Sequence, residues 1–228
     1  MKILIVCSKN SGKIAPFILE QGESLLRLGV EVDYYPIVGK GLMGYWKSRK
    51  SFLQKIKTFQ PDIIHAHYGL SGLLANSQRR IPVVTTYHGS DINTSGVYIL
   101  SRLNMVLSAH SIFVSNENRL KSGLSKNFTL LPCGVDTKIF VPGLKGESRK
   151  LLGLEKDQKL VLFSSAFDIA VKNSGLALSA IALLPDVRLI ELKNYSRSQV
   201  AWRMNAVDLA LMTSFTEGSR QFSNEAMA

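Results

Sequence analysis

Apolar residues fall in two rhythms along this chain. Short runs rich in Ile, Val and Leu alternate with longer stretches in which apolar residues recur at helical spacing. The first rhythm predicts buried strands and the second amphipathic helices. Strands are expected at Lys2–Cys7, Glu31–Ile37, Ile63–Ala66, Pro82–Tyr87, Ser111–Ser115 and Thr129–Pro132. Ile14, Phe17, Ile18, Gln21, Leu25 and Leu28 step around one helix face, and Gly29 closes that helix as a C-cap. Further helices are expected at Ser48–Phe59, stopped by Pro61, at Ser71–Arg79 and at Tyr98–Ala109. Strand–helix alternation without long hairpins implies a parallel sheet covered on both faces.

The rhythm breaks at Val141–Lys150, VPGLKGESRK, a polar stretch with one Pro and two Gly. Such composition predicts a linker. Afterwards the alternation resumes, with strands at Lys159–Ser165, Arg188–Lys193 and Leu209–Ser214. Helices are expected at Ser174–Leu184, at Ser196–Asn205 and from Gln221 onward. The fold class is α/β: two Rossmann-like units, residues 1–141 and 151–228, joined by a linker over 142–150. The second is short of the roughly 100–150 residues such a unit usually needs, so it is expected to be incomplete.

Composition narrows the class. Of 228 residues, 46% are apolar and 20% charged, as in ordinary soluble domains. No apolar run approaches the ~20 residues that span a bilayer, and the apolar start is too brief for a leader. Cys7 and Cys133 lie far apart and form no metal-type pair, which suits reduced thiols in a cytoplasmic protein. The charge is the unusual feature: 28 Lys and Arg against 17 acids give +11. Such a surface attracts phosphates on nucleotides, nucleic acid or anionic lipid. Its densest part, Lys40–Lys57, interleaves Lys47, Arg49, Lys50, Lys55 and Lys57 with Tyr45, Trp46, Phe52 and Leu53. It reads either as a solvated helix face or as a face for an acceptor or a membrane.

Ligands of open parallel sheets bind at the carboxyl ends of the strands. The first such loop is Ser8–Lys13, SKNSGK. Gly12 and Lys13 resemble a P-loop ending, but the earlier Gly is missing and Ile14 replaces the magnesium-binding hydroxyl. A three-glycine dinucleotide fingerprint is also absent. Either a plain turn or an anion-holding loop remains. His65 and His67 share one side of a strand, and zinc would need a third ligand that the sequence does not offer. A structural or acceptor-side role near Tyr68 and Gly69 is expected instead. His88 ends a strand before Gly89, Ser90 and Asp91, where an imidazole either edges the core or meets a ligand hydroxyl or phosphate. Gly134, Val135 and Asp136 form a turn with Asp136 capping local backbone. Lys172 follows a strand, and Ser219 is a credible N-cap for the last helix. Read from the residues alone, Glu225 is an ordinary surface position on that helix.

Five stretches together carry a resemblance. They are PDIIHAHYGLSGLLA (Pro61–Ala75), VVTTYHGSDI (Val83–Ile92), LLPCGVDTKIF (Leu130–Phe140), FDIAVKN (Phe167–Asn173) and TEGSRQFSNEAMA (Thr216–Ala228). In this order and spacing the chain resembles the retaining GT-B glycosyltransferases of the "glycosyl transferases group 1" family. The resemblance implies transfer of a sugar from a nucleotide-diphosphate sugar to a glycan or lipid-linked acceptor, with retention. The donor would bind the second lobe and the acceptor the first. Lys172, Gly218, Ser219 and Arg220 would hold the diphosphate, Glu217 and His88 the sugar, and Glu225 the ribose. Lys172, Glu217 and His88 would be the catalytic residues, and Gly12, Lys13, His67, Tyr68 and Asp91 would lie on the acceptor side. No Asp-x-Asp triplet offers to hold a metal beside a diphosphate, so metal-independent stabilisation by Lys172 and a helix start is expected, with no cofactor. Partners would be the nucleotide sugar and the acceptor, with peripheral contact at the inner face of an anionic membrane and no nucleic acid.

The chain departs from that family where an Arg usually precedes the diphosphate Lys; Phe167 stands there. Arg220 replaces a small or Pro residue. The family also continues past the equivalent of Ala228, so weak turnover is expected. Two rivals remain: a nucleotide-sugar epimerase on the same architecture, and a degenerate, non-catalytic nucleotide binder.

Overall fold

A computed structural model describes residues 1–228. Contacts divide the chain into two units, Met1–Gly134 and Val135–Ala228. The first begins with β1 (Lys2–Ser8), α1 (Pro16–Arg27), β2 (Glu31–Ile37), α2 (Gly41–Lys47) and α3 (Arg49–Phe59). It continues with β3 (Ile63–His67), α4 (Gly69–Ala75), β4 (Val83–Tyr87), α5 (Ser90–Asn93) and α6 (Ser95–Leu107). It closes with β5 (His110–Phe113), α7 (Asn116–Ser122) and β6 (Phe128–Leu130). The six strands form one parallel sheet in the order β2-β1-β3-β4-β5-β6.

The period-two pattern of β1 sorts its side chains onto two helical layers. Ile3, Ile5 and Cys7 pack against Ile18 of α1. Leu4 and Val6 face the other way, onto a core with Ile64, Ala66, Phe52 and Leu74. Leu28 is the C-cap of α1, and Gly29 follows at φ 77°, a left-handed turn that costs glycine no Cβ clash. Gln60 adopts the left-handed conformation that ends α3 ahead of Pro61.

Three helices of this unit were not expected from the sequence: α2, α5 and α7, each seven residues or fewer. Helix α4 is shorter than the expected Ser71–Arg79. Asn76 ends it by donating to Gly72 O, Asn104 Oδ1 and Ser108 Oγ. This amide belongs to a buried network in which Asn104 also donates to Thr85 Oγ1 and Tyr87 Oη. The network fastens α4 and α6 to the sheet, and glycines let the helices close on it. A Cβ on Gly72 would lie 2.1 Å from Asn104 Nδ2.

The second unit contains α8 (Lys145–Leu151), β7 (Lys159–Phe163), α9 (Ser174–Ile181), β8 (Val187–Ile190) and α10 (Arg197–Ala206), then β9 (Leu209–Leu211) and α11 (Gln221–Met227). Its sheet is parallel, in the order β8-β7-β9. Two boundaries differ from the expected ones. The stretch 142–150, expected as a linker, folds mostly as α8. Arg149 is buried there and donates to Ala206 O, Glu155 O and Lys156 O and to Asp208. Residues 135–141, expected in the first unit, belong to the second: Val141 O accepts from Asn205 Nδ2, and the Phe140 ring lies under Arg197.

Gly72→Ala is expected to destabilise the protein by about 1–3 kcal/mol, because its methyl overpacks the Asn104 network. Gly96, in α6, has open space at its Cβ, so Gly96→Ala should leave stability unchanged or raise it by a few tenths of a kcal/mol. Denaturant unfolding of both variants checks the contrast.

Candidate functional site

In the first sheet the strand order reverses between β1 and β3, because the chain leaves β1 for β2 on one side and returns to β3 on the other. Loops leaving these two strands diverge and open a crevice. The β1 loop carries Gly12 and Lys13, both exposed. It is a turn, with Gly12 N donating to Lys9 O. Asn10 pins it to the loop after β2, donating to Gly39 O and accepting from Gly39 N, both at 2.8 Å.

On the other side of the crevice stand the histidines. His65 and His67 project to the same face of β3, with ring centroids 4.6 Å apart. His67 stacks on His88 from the end of β4, and its Nδ1 is 2.9 Å from His88 Nε2. His65 Nε2 is 2.8 Å from Thr86 Oγ1. The rings of Phe17 and Tyr68 each lie 4.7 Å from that of His88. Tyr68 holds φ 73°, ψ 150°, a backbone region natural to glycine; strain of this kind gathers at ligand-binding positions. His67 is fully buried and its Nε2 has no partner. Burial holds all three imidazoles neutral: it lowers His65 to about 4 and His88 to about 3, His88 also feeling His65. His67 falls well below the ordinary value through burial and then its two neighbours. No group of three or more His, Cys, Asp or Glu is placed to hold a metal ion.

Asp91 is 2% exposed. Its Oδ1 accepts from the backbone N–H of His88 and Gly89, and its Oδ2 from that of Gly69. The carboxylate therefore bolts the β3 and β4 loops together and fixes the backbone that carries His88. Burial raises it to about 6, against the pull of those amides.

The second sheet reverses between β7 and β9. The loop after β7 holds Lys172, and the loop after β9 holds Glu217. Thr213 Oγ1 donates to Lys172 O and Asn173 O, and Phe215 N donates to Val171 O, so the two loops are tied. Lys172 Nζ meets Glu217 Oε1 at 2.6 Å, with side chains 23% and 19% exposed. Residues 45 positions apart thus form one charge pair across the switch point. Ser164, Ser214 and Ser219, on the same two loops, each bury a hydroxyl with no partner.

Ser219 does not cap the last helix. Arg220 occupies the N-cap of α11 without a side-chain cap bond, and its side chain is exposed. Nor is Glu225 a surface residue: it is 6% exposed and accepts from Arg197 Nη2 at 2.5 Å and Gln221 Nε2 at 2.8 Å. Gly218 lies in the loop between Glu217 and Ser219. Arg197 was invisible in the sequence, since it lies in none of the five motifs; Asp91 was expected on the acceptor side, but its hold on three backbone amides was not legible.

Two parallel α/β units with polar residues at their carboxyl edges define the protein as one of the GT-B type. Residues 3–139 match the family described as Glycosyltransferase Family 4, and the chain belongs to that family. It is 28% identical over 149 residues to D-inositol 3-phosphate glycosyltransferase of Mycobacterium ulcerans, a match covering 57% of this chain and 32% of that protein. The chain thus spans about a third of the length of that relative. Sucrose-phosphate synthase from Thermosynechococcus elongatus superposes with a TM-score of 0.85 at 16% identity, covering 100% of this chain and 79% of that one. UDP-GlcNAc 2-epimerase from Neisseria meningitidis, bound to UDP-GlcNAc, gives 0.59 at 16% identity, over 92% and 77% of the two chains. These likenesses establish the fold.

The buried groups predict the pH response of stability. A histidine with a depressed folded pKa stabilises above its unfolded value near 6.5, and that contribution is lost as pH falls toward 4 and 3. Asp91, raised to about 6, works oppositely and favours the fold at lower pH. Three imidazoles against one carboxyl leave a net loss between pH 6.5 and 4. Denaturant unfolding at pH 7.5 and 5 should show the lower stability at pH 5, and Asp91→Asn should steepen the loss by removing the opposing group.

Proposed function

We propose that the chain binds a nucleotide-diphosphate sugar and transfers the sugar to a glycan or lipid-linked acceptor, with retention and without a metal. The bond from the anomeric carbon to the phosphate oxygen breaks, both electrons leaving on the diphosphate. The acceptor oxygen bonds to that carbon, and its proton leaves with the nucleotide. The cytoplasm is the proposed location, with peripheral contact at the inner face of a membrane.

One observation carries this reading: the Lys172–Glu217 pair at the switch point of the second sheet, with three unsatisfied serine hydroxyls on the same loops. A buried hydroxyl without a partner costs on the order of 1–3 kcal/mol, a cost that an oxygen-rich ligand removes. Lys172 is proposed to stabilise the departing diphosphate, and Glu217 to accept from sugar hydroxyls. Gly218, Ser219 and Arg220 are assigned to the phosphates and Glu225 to the ribose, all by the family resemblance. His88 would meet the donor sugar, while Gly12, Lys13, His67 and Tyr68 are assigned to the acceptor side by the same resemblance, His67 from beneath the surface. Asp91, occupied by three amides, is proposed to act through the backbone it fixes.

The free pair also implies an exchange: a phosphate binding Lys172 must displace Glu217. Calorimetric titration with UDP, GDP and ADP tests this. One nucleotide should bind; Lys172→Ala should weaken it by about 10–100-fold, and Glu217→Gln should tighten it by freeing the ammonium. Failure of all three to bind, or unchanged affinity in Lys172→Ala, would sink the donor site. The epimerase likeness supports a second reading. An epimerase would convert a nucleotide sugar with no acceptor present, which chromatography of such an incubation detects.

A further inference from the structure

Helix α2 turns its apolar residues outward. Leu42, Met43 and Trp46 are 53%, 69% and 63% exposed, and Val38 just before the helix is 71% exposed. This is not a frayed segment, because its inner side is fastened. Tyr45 is buried in the core with Phe52. The backbones of Gly39 and Gly44 touch so closely that a Cβ on Gly44 would lie 2.6 Å from Gly39 C. Tyr35 Oη donates to Ser48 O at 2.8 Å, at the junction with α3. The sequence places the small and core-seeking residues inward and Leu, Met and Trp toward water.

The neighbouring charge has one sign. From Tyr34 to Pro61 the chain carries Lys40, Lys47, Arg49, Lys50, Lys55 and Lys57 and no Asp or Glu. Lys55 is neutralised by Asp33. A groove of about 450 Å³ runs along this face, lined by Trp46, Lys47, Arg49, Lys50, Leu53 and Lys57. The Arg49 guanidinium sits 5.5 Å from the Trp46 ring and holds it at the rim. Exposed aliphatic side chains beside unpaired cations, with an indole at their border, are the pattern of an interfacial contact. The cations match anionic headgroups, and the aliphatic groups gain by leaving water for acyl chains. Leu42, Met43 and Val38 would gain nothing from a nucleic-acid backbone, which offers phosphates and no apolar interior.

We propose that α2 and the start of α3 dock on an anionic phospholipid bilayer, Leu42, Met43 and Trp46 entering the headgroup boundary and the exposed Lys47, Lys50 and Lys57 pairing with the lipid phosphates, while Arg49, which donates to Ser77 O, steadies the indole. This names the surface for the peripheral position proposed above. It does not depend on sugar transfer, and its failure would leave the donor site untouched. The arrangement brings a lipid-linked acceptor to the first sheet from the membrane plane.

The test uses the full chain carrying Trp202→Phe, so that Trp46 is the sole tryptophan. It is sedimented with vesicles of phosphatidylcholine alone and of equimolar phosphatidylcholine and phosphatidylglycerol. The chain should pellet with the anionic vesicles and not the neutral ones, and Trp46 emission should shift to shorter wavelength on binding. Lys47→Glu with Lys50→Glu should lower partitioning about tenfold or more. Leu42→Ser with Met43→Ser should lower it and abolish the emission shift. Lys126→Glu with Lys156→Glu makes the same charge change at exposed sites elsewhere and should have a much smaller effect. The proposal is overturned if the wild type stays in the supernatant. It is equally overturned if the distant pair matters as much as Lys47 and Lys50, or if Trp46 emission does not move on the vesicles. All these positions are exposed, and circular dichroism of each variant checks that the fold survives.

Discussion

The reversal of strand order inside each parallel sheet is the constraint on which the rest depends. A parallel strand must be reached by a crossover, so the chain can extend a sheet first to one side and then to the other. At the strand where it changes direction, the two departing loops are left apart. In the first unit those strands are β1 and β3, and in the second β7 and β9. His65, His67, His88, Asp91, Lys172 and Glu217 all hang from these four strands or their neighbour β4. Hydrophobic alternation fixes the strands, and the strands then decide where chemistry can sit.

Within that frame two solutions to buried charge stand side by side. Asp91 is a carboxylate without a cation, held by three backbone amides, and its work is to set the geometry of the β3 and β4 loops. Lys172 and Glu217 satisfy each other across the second sheet. The first arrangement is closed, since the carboxylate is buried among the amides it accepts from. The second is a direct ion pair whose two side chains keep about a fifth of their surface in water. The histidines form a third type of packing: neighbouring neutral rings, His67 stacked on His88 and tilted against His65, kept uncharged by desolvation.

Much of this was legible before any coordinates. β1 and β2 fall where Ile, Val and Tyr runs placed them, and α1, with Gly29 after its cap, where its stepping predicted. The resemblance read from five motifs agrees with the family match and the fold. Helix α8 was not legible: it hid behind Pro and Gly, and its anchor Arg149 finds partners as far away as Asp208. Ser219 looked like a cap, yet its hydroxyl points inward and Arg220 takes that position.

The order of apolar and polar residues alone determined two parallel α/β units and the loops that bear their chemistry, since strand and helix periods are local properties. Only the tertiary structure decided that Lys172 pairs with Glu217, that Arg197 buries Glu225, and that Asp91 faces amides rather than solvent. Each joins positions distant in the chain, or on separate loops, and a side chain's partner is set by where the backbone carries it. The outward turn of Leu42, Met43 and Trp46 was decided in the same way, by Tyr45 and two touching glycines that claim the inner side of α2.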